Sequence, residues 1–191
     1  MKDNLIFIFC VIVGCFYFNS CTNNQVRENS SDPSSLYFVD DADHLFFKNT
    51  RAYYYDQSRG PGSDESQRPN LYQLKKISKR KDRAILIPII VDNWIKDEAY
   101  LMLTSNDFDE GFYSPFTIAR VAGSDTTAVV QEGRSMPQQT TFAQAIAKML
   151  EKEADFLIKN EKEEWVSLFA DPNDRLHYLT AIRDYQRLVQ K

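Results

Sequence analysis

The chain has 191 residues, 13% of them aromatic, and its 23 Lys and Arg against 27 Asp and Glu leave a formal net charge of −4. A mildly acidic balance argues against a general nucleic-acid binder. Two histidines and three cysteines leave few groups for acid–base chemistry at neutral pH or for disulfides, and the length suits a single domain with an ordinary hydrophobic core.

The first stretch reads as an address. Lys2 precedes an almost unbroken apolar run from Leu5 to Phe18, followed by Asn19-Ser20-Cys21. A positive start, an apolar core and a small residue before the cut make a secretory signal. With a cysteine directly after that cut, the stretch resembles a bacterial lipoprotein precursor of the Bacteroidetes-like type. The resemblance implies a signal peptide over residues 1–20 and a lipid on the Cys21 thiol. Ile12-Val13-Gly14-Cys15 offers an alternative cut that leaves a shorter apolar core. An uncleaved anchor needs about 20 apolar residues, more than this run supplies. Removal of the signal takes Cys10 and Cys15 with it, so the exported part keeps no cysteine for a disulfide. Lipoproteins of this kind carry several acyl chains, which makes anchoring stable. The residue after the cysteine is Thr22 and not Asp, which by the enterobacterial sorting logic implies the outer membrane. The chain also lacks the acidic run that often marks surface display in Bacteroidetes-like cells, which implies a domain facing the periplasm.

Residues 21–35 are Asn, Ser, Gln and charge with little apolar content, and read as a flexible tether. The domain proper is expected over residues 36–191. Leu36-Tyr37-Phe38-Val39 reads as a short strand. Asp40-Asp41-Ala42-Asp43-His44 invites a metal reading, but its spacing matches no metal loop and Asp-rich clusters are ordinary turns. Leu45 to Tyr55 reads as two strands around Lys48-Asn49-Thr50. Strand alternation then places Tyr53 and Tyr55 on one face and Tyr54 on the other.

Gln57 to Pro69, with Gly60-Pro61-Gly62, reads as a loop and lacks the Gly-Lys-Ser/Thr of a phosphate loop. Asn70 to Ile77 reads as a strand running into the basic stretch Lys75 to Arg83, expected as a hairpin tip. Ala84 to Val91 and Ala99 to Thr104 read as buried strands at the centre of the sheet, with Pro88 marking a bulge or an edge. Ser105 to Pro115 reads as a loop holding only part of a calcium motif. Phe116 to Ala122 and Thr127 to Gln131 read as a final hairpin around Gly123. From Thr141, paired with Gln144 as a capping box, apolar spacing predicts a helix through Leu157. A short helix follows over Glu161 to Phe169, with Trp165 facing inward. A last helix starts at Asp171-Pro172 and is lined by Leu176, Leu179, Ile182, Tyr185 and Val189.

The fold expected is α+β: an antiparallel sheet of roughly five to seven strands followed by two or three helices. No catalytic serine elbow, zinc-binding helix motif or cysteine nucleophile is present, and no cofactor or metal is implied. The sequence points to a lipid-anchored binding protein of the cell envelope, held to the membrane by its lipid and taking a protein partner, with an immunity-type toxin neutraliser as one concrete version. A glycan-binding or envelope-complex accessory role is the alternative, and a hydrolase the minority one. Candidate partner-binding residues are Tyr53, Tyr54 and Tyr55, whose rings offer stiff amphipathic contact area, and Lys79, Arg80 and Lys81, which would attract an acidic partner.

Overall fold

The computed structural model describes residues 36–78, 80–106, 108, 115–152 and 154–189. Cys21, the alternative Cys15 and Lys79 lie outside them. Among the described residues the class is α+β, with eight strands in two antiparallel sheets and helices on their faces.

Asp40 starts the first helix, α1 (Asp41–Thr50): its side chain accepts the Ala42 N–H at 2.8 Å, and Asp41 and Asp43 face the positive end of the helix dipole. The acidic cluster is therefore a helix start. Leu45 to Tyr55 does not form the two strands expected, because a strong N-cap and one buried face outweigh aromatic β-propensity. Phe47 is the buried anchor of α1, edge-on to Tyr72 at 5.1 Å and tilted to Tyr55 at 5.7 Å. A single 3₁₀ turn, Ala52–Tyr54, then leads into β1 (Tyr55–Arg59).

The first sheet is a meander of β1, β2 (Asn70–Leu74), β3 (Leu86–Asn93) and β4 (Glu98–Ser105), in that order. β3 is buried along nearly its whole length, as its apolar run implies. Pro88 sits one step past the last β2–β3 pair, Gln73 with Ile89, so its missing amide donor costs the ladder nothing. Among the described residues before α1 only Phe38 bridges to β4, at Glu98, with Val39 N–H on the Asp97 carbonyl and Ala99 N–H on that of Tyr37. The rest of the outer edge of β4 is closed differently. Leu101 N–H donates to the Thr140 hydroxyl at 2.8 Å and Leu103 N–H to the Gln139 side-chain carbonyl at 3.2 Å. Both residues stand on the helix α3 (Met136–Leu150), which thus supplies the acceptors that a neighbouring strand would have brought.

Between β2 and β3, which pair antiparallel, the basic stretch connects the two strands of a hairpin as expected, but it opens with the short helix α2 (Lys75–Ser78) rather than making a tight tip. The second sheet runs β6 (Asp125–Val130), β5 (Thr117–Ala122), β7 (Asp155–Lys159), β8 (Trp165–Leu168). The β5–β6 hairpin turns at Gly123, whose φ of 62° favours glycine. A parallel bridge from Ala84 to Leu168 links the two sheets.

α3 (Met136–Leu150) begins five residues earlier than expected. Ser135 and Gln138 form a capping box and Pro137 fits the first turn. It also ends earlier. Ala154 and Leu157 continue the helical spacing, yet Phe156 and Ile158 alternate inward on β7, paired with β5. The short helix expected over Glu161 to Phe169 is likewise strand β8, which leaves Trp165 exposed. α4 (Pro172–Leu188) starts where Asp171-Pro172 placed it and lies on β3 and β4, burying Tyr178, Ile182, Tyr185 and Leu188. Leu176 faces outward instead. Tyr178 donates to the Ala143 carbonyl at 3.0 Å and joins α4 to α3.

Candidate functional site

α1 and the turn after it position two surfaces. The first is an open pocket of about 320 Å³ lined by Lys48, Ala52, Gln57, Arg59, Asn70, Tyr72 and Trp94. Lys48 comes from α1, Gln57 and Arg59 from β1, Asn70 and Tyr72 from β2, and Trp94 from the β3–β4 connection. A polar chain runs from the lining residues Gln57 and Asn70 back to Asp92 and His44, which do not line the pocket. His44 Nε2 lies 3.0 Å from the buried Asp92 carboxylate, on the same oxygen that takes Asn70 Nδ2 at 3.1 Å, and Gln57 Nε2 donates to Asn70 Oδ1 at 3.1 Å. A carboxylate only accepts, so both of its neighbours must donate. That fixes Asn70 with its carbonyl toward Gln57, and leaves Gln57 Oε1 as a spare acceptor. The two cations lining the pocket face no lining carboxylate. Burial, and then the charge of Asp92, push the Tyr72 phenol up to about 12, with Arg59 pulling the other way.

The second surface is aromatic. Leu45 and Phe46 on the outer face of α1 are 60% and 51% exposed, and Tyr53 and Tyr54 in the 3₁₀ turn are 80% and 49% exposed. The two tyrosine rings meet edge to face at 5.6 Å. Lys75 lies over Tyr53 at 5.0 Å and donates to its carbonyl, and Arg51 lies over Tyr54 at 5.0 Å. These cations hold the rings in place.

Tyr55 does not belong to that surface, which corrects the expectation from strand alternation. The 3₁₀ turn breaks the alternation, and Tyr55 is buried with its hydroxyl on Asp184 Oδ2 at 2.7 Å. Asp184 on α4 also takes Arg51 through both oxygens, at 2.9 and 2.7 Å. Burial, then the neighbouring Asp184 charge, raise the Tyr55 phenol far above its ordinary range. The hydrogen bond to Asp184 is the main cause that raises the Arg51 guanidinium. This buried junction fixes the aromatic turn to the body of the domain.

Much of the basic stretch holds the fold. Arg83 Nε reaches Asp174 at 2.6 Å, Nη2 reaches Asp171 at 2.7 Å, and Nη1 pairs with Asp82. Arg80 is half-buried, and its carbonyl and that of Arg83 both accept from Asn106 Nδ2. Asn106 also accepts Ile85 N–H at 2.9 Å, so the residue that opened the partial calcium motif is a clamp on the start of β3. Lys81 is exposed. Neither Arg80 nor Lys81 comes from the elements that build the aromatic surface.

Sequence reasoning found Tyr53 and Tyr54 but missed Arg51, Gln57, Arg59, Asn70 and Asp184. Nothing local marks these residues, because their partners lie far away in the chain. Among the described residues no group of three or more His, Cys, Asp or Glu is placed to hold a metal ion. Also among them, His44 has no hydroxyl or thiol as a hydrogen-bond partner. No described helix is long and apolar enough to cross a membrane. A scan against protein-family models and searches of curated proteins and of solved structures give no match.

Proposed function

We propose that the chain is a lipid-tethered binding protein of the cell envelope, anchored through Cys21 to the outer membrane on its periplasmic side, and that it takes a protein partner on the face bearing Tyr53 and Tyr54. The observation that carries this reading is the set of four large side chains, Leu45, Phe46, Tyr53 and Tyr54, left 49–80% exposed on two consecutive elements. Apolar surface of this kind is kept exposed where a partner covers it. Tyrosines braced by Arg51 and Lys75 lose little rotamer freedom when they bind, which favours affinity. An immunity-type neutraliser of an envelope-reaching toxin is one form such a module takes.

Immobilised chain is expected to retain one stoichiometric protein from the organism's envelope or secreted fractions. Exchange of Tyr53 and Tyr54 together for Ser lowers that retention at least tenfold, whereas Trp165→Ser, on the second sheet, leaves it unchanged. Equal retention by all three proteins removes the aromatic face from the proposal. The tether is read separately with a fatty-acid label, which is expected to vanish in Cys21→Ala and persist in Cys15→Ala. The opposite pattern moves the anchor to Cys15.

A further inference from the structure

The pocket behind the aromatic turn has a chemistry that a protein-docking face does not need. Two cations, Lys48 and Arg59, line it, and no carboxylate does. Arg59 makes one long bond, from Nη1 to the Arg68 carbonyl at 3.4 Å, and Lys48 has no ion-pair partner among the described residues. Cations gathered in a concave site with nothing to neutralise them favour an anion. Arginine adds a planar fork suited to a carboxylate.

The remaining lining residues describe the rest of the ligand. Trp94 is 43% exposed at the mouth and Tyr72 lies at the base. Trp94 offers an aromatic face to a ring that is apolar on one side, and the buried Tyr72 closes the floor beneath it. Gln57 and Asn70 are oriented by the chain that ends at Asp92, and they present amide groups to hydroxyls. Asn70 is buried and held from both sides, so its amide is fixed before any ligand arrives. A few convergent polar groups, an aromatic wall and a preset hydrogen-bond pattern are how small-ligand sites are built. A simple inorganic anion would use the cations and leave the indole and the amides idle.

We propose that this pocket binds an acidic sugar, its carboxylate held by Lys48 and Arg59, its ring on Trp94 and its hydroxyls on Gln57 and Asn70. The site is independent of the protein-binding face and does not require it.

The test uses indole fluorescence. The chain has two tryptophans, so Trp165→Phe in the full chain leaves Trp94 as the reporter. Titration with glucuronate, galacturonate or N-acetylneuraminate is expected to give a saturable change with at least one of them. Glucose, which lacks the charge, and acetate, which lacks the ring, are expected to bind at least tenfold more weakly. Arg59→Ala and Lys48→Ala each weaken the sugar acid at least tenfold while the urea midpoint stays within error of the parent. A flat response to all three sugar acids overturns the proposal, as does acetate binding as tightly as the best of them. Unchanged affinity in both the Arg59 and Lys48 variants overturns it too. Tyr53 and Tyr54 variants keep the sugar response, which separates this site from the protein-binding face.

Discussion

Asp184→Ala is expected to lower the unfolding free energy by about 3–5 kcal/mol, the range for removing one partner of a buried charged pair. Asp184 is almost wholly buried and receives three bonds, two from Arg51 and one from Tyr55. Its loss leaves a buried phenol without an acceptor and a guanidinium without its fork. Tyr55→Phe removes a single bond and is expected to cost about 1–2 kcal/mol. Replacing Arg51 by Met and Asp184 by Leu together should cost less than Asp184→Ala alone, because no charge is left unpaired and only the Tyr55 hydroxyl loses its acceptor. Urea unfolding of the four proteins checks the order. Equal losses in Asp184→Ala and Tyr55→Phe would mean that Arg51 contributes nothing. The junction also holds the aromatic turn, so Asp184→Ala should weaken partner capture even at temperatures where the chain stays folded.

Arg83→Ala is the second large effect, again about 3–5 kcal/mol. Asp174 has no exposed surface, and its Oδ1 has no partner among the described residues. Arg83 is thus what keeps that carboxylate tolerable inside the fold. Arg83→Lys retains the charge but loses the fork across Asp174 and Asp171, so it should fall between the parent and the alanine variant. The same corner sets a pH dependence. Burial, and then Lys76, lower the His177 imidazole from its ordinary 6.5. The unfolded chain therefore takes up the proton first as the medium is acidified. Stability is complete above about 6.5 and declines as pH falls from there to the folded-state value. His177→Gln should flatten the change in urea midpoint between roughly pH 7 and pH 5. If the variant loses as much as the parent over that interval, His177 is not the group responsible.

What could be read from the chain alone followed from how local its causes are. The apolar run before Asp92, the hairpin at Gly123 and the helix opened by Asp171-Pro172 carry their signals within a few residues. Each was placed correctly to within a residue or two. The α1 segment was misread because Phe46, Phe47 and three tyrosines suggested strands, while the deciding residue was a single aspartate at position 40. β7 and β8 were misread for the opposite reason. Their helical spacing was real, but pairing of β7 with β5, and of β8 with β7, overrode it, and β5 lies more than thirty residues away in the register of Ile118 with Ile158. The surfaces divide in the same way. Tyr53 and Tyr54 stood out by composition, whereas the pocket depends on Lys48, Arg59, Asn70 and Trp94, which four separate segments bring together.

The closing of the β4 edge by α3 also imposes an order in time. When the chain emerges N-terminus first, β3 and β4 can pair as soon as both are out. Leu101 and Leu103, however, then face water with open amides until residues 39 and 36 positions later arrive. Until then the most apolar hairpin of the domain presents a free template to any other extended segment nearby, including a second unfolded copy of itself. The polar pair Gln139-Thr140 ends that exposure on arrival, so these two residues bear on how much of the chain reaches the folded state as well as on how firmly the finished domain holds together.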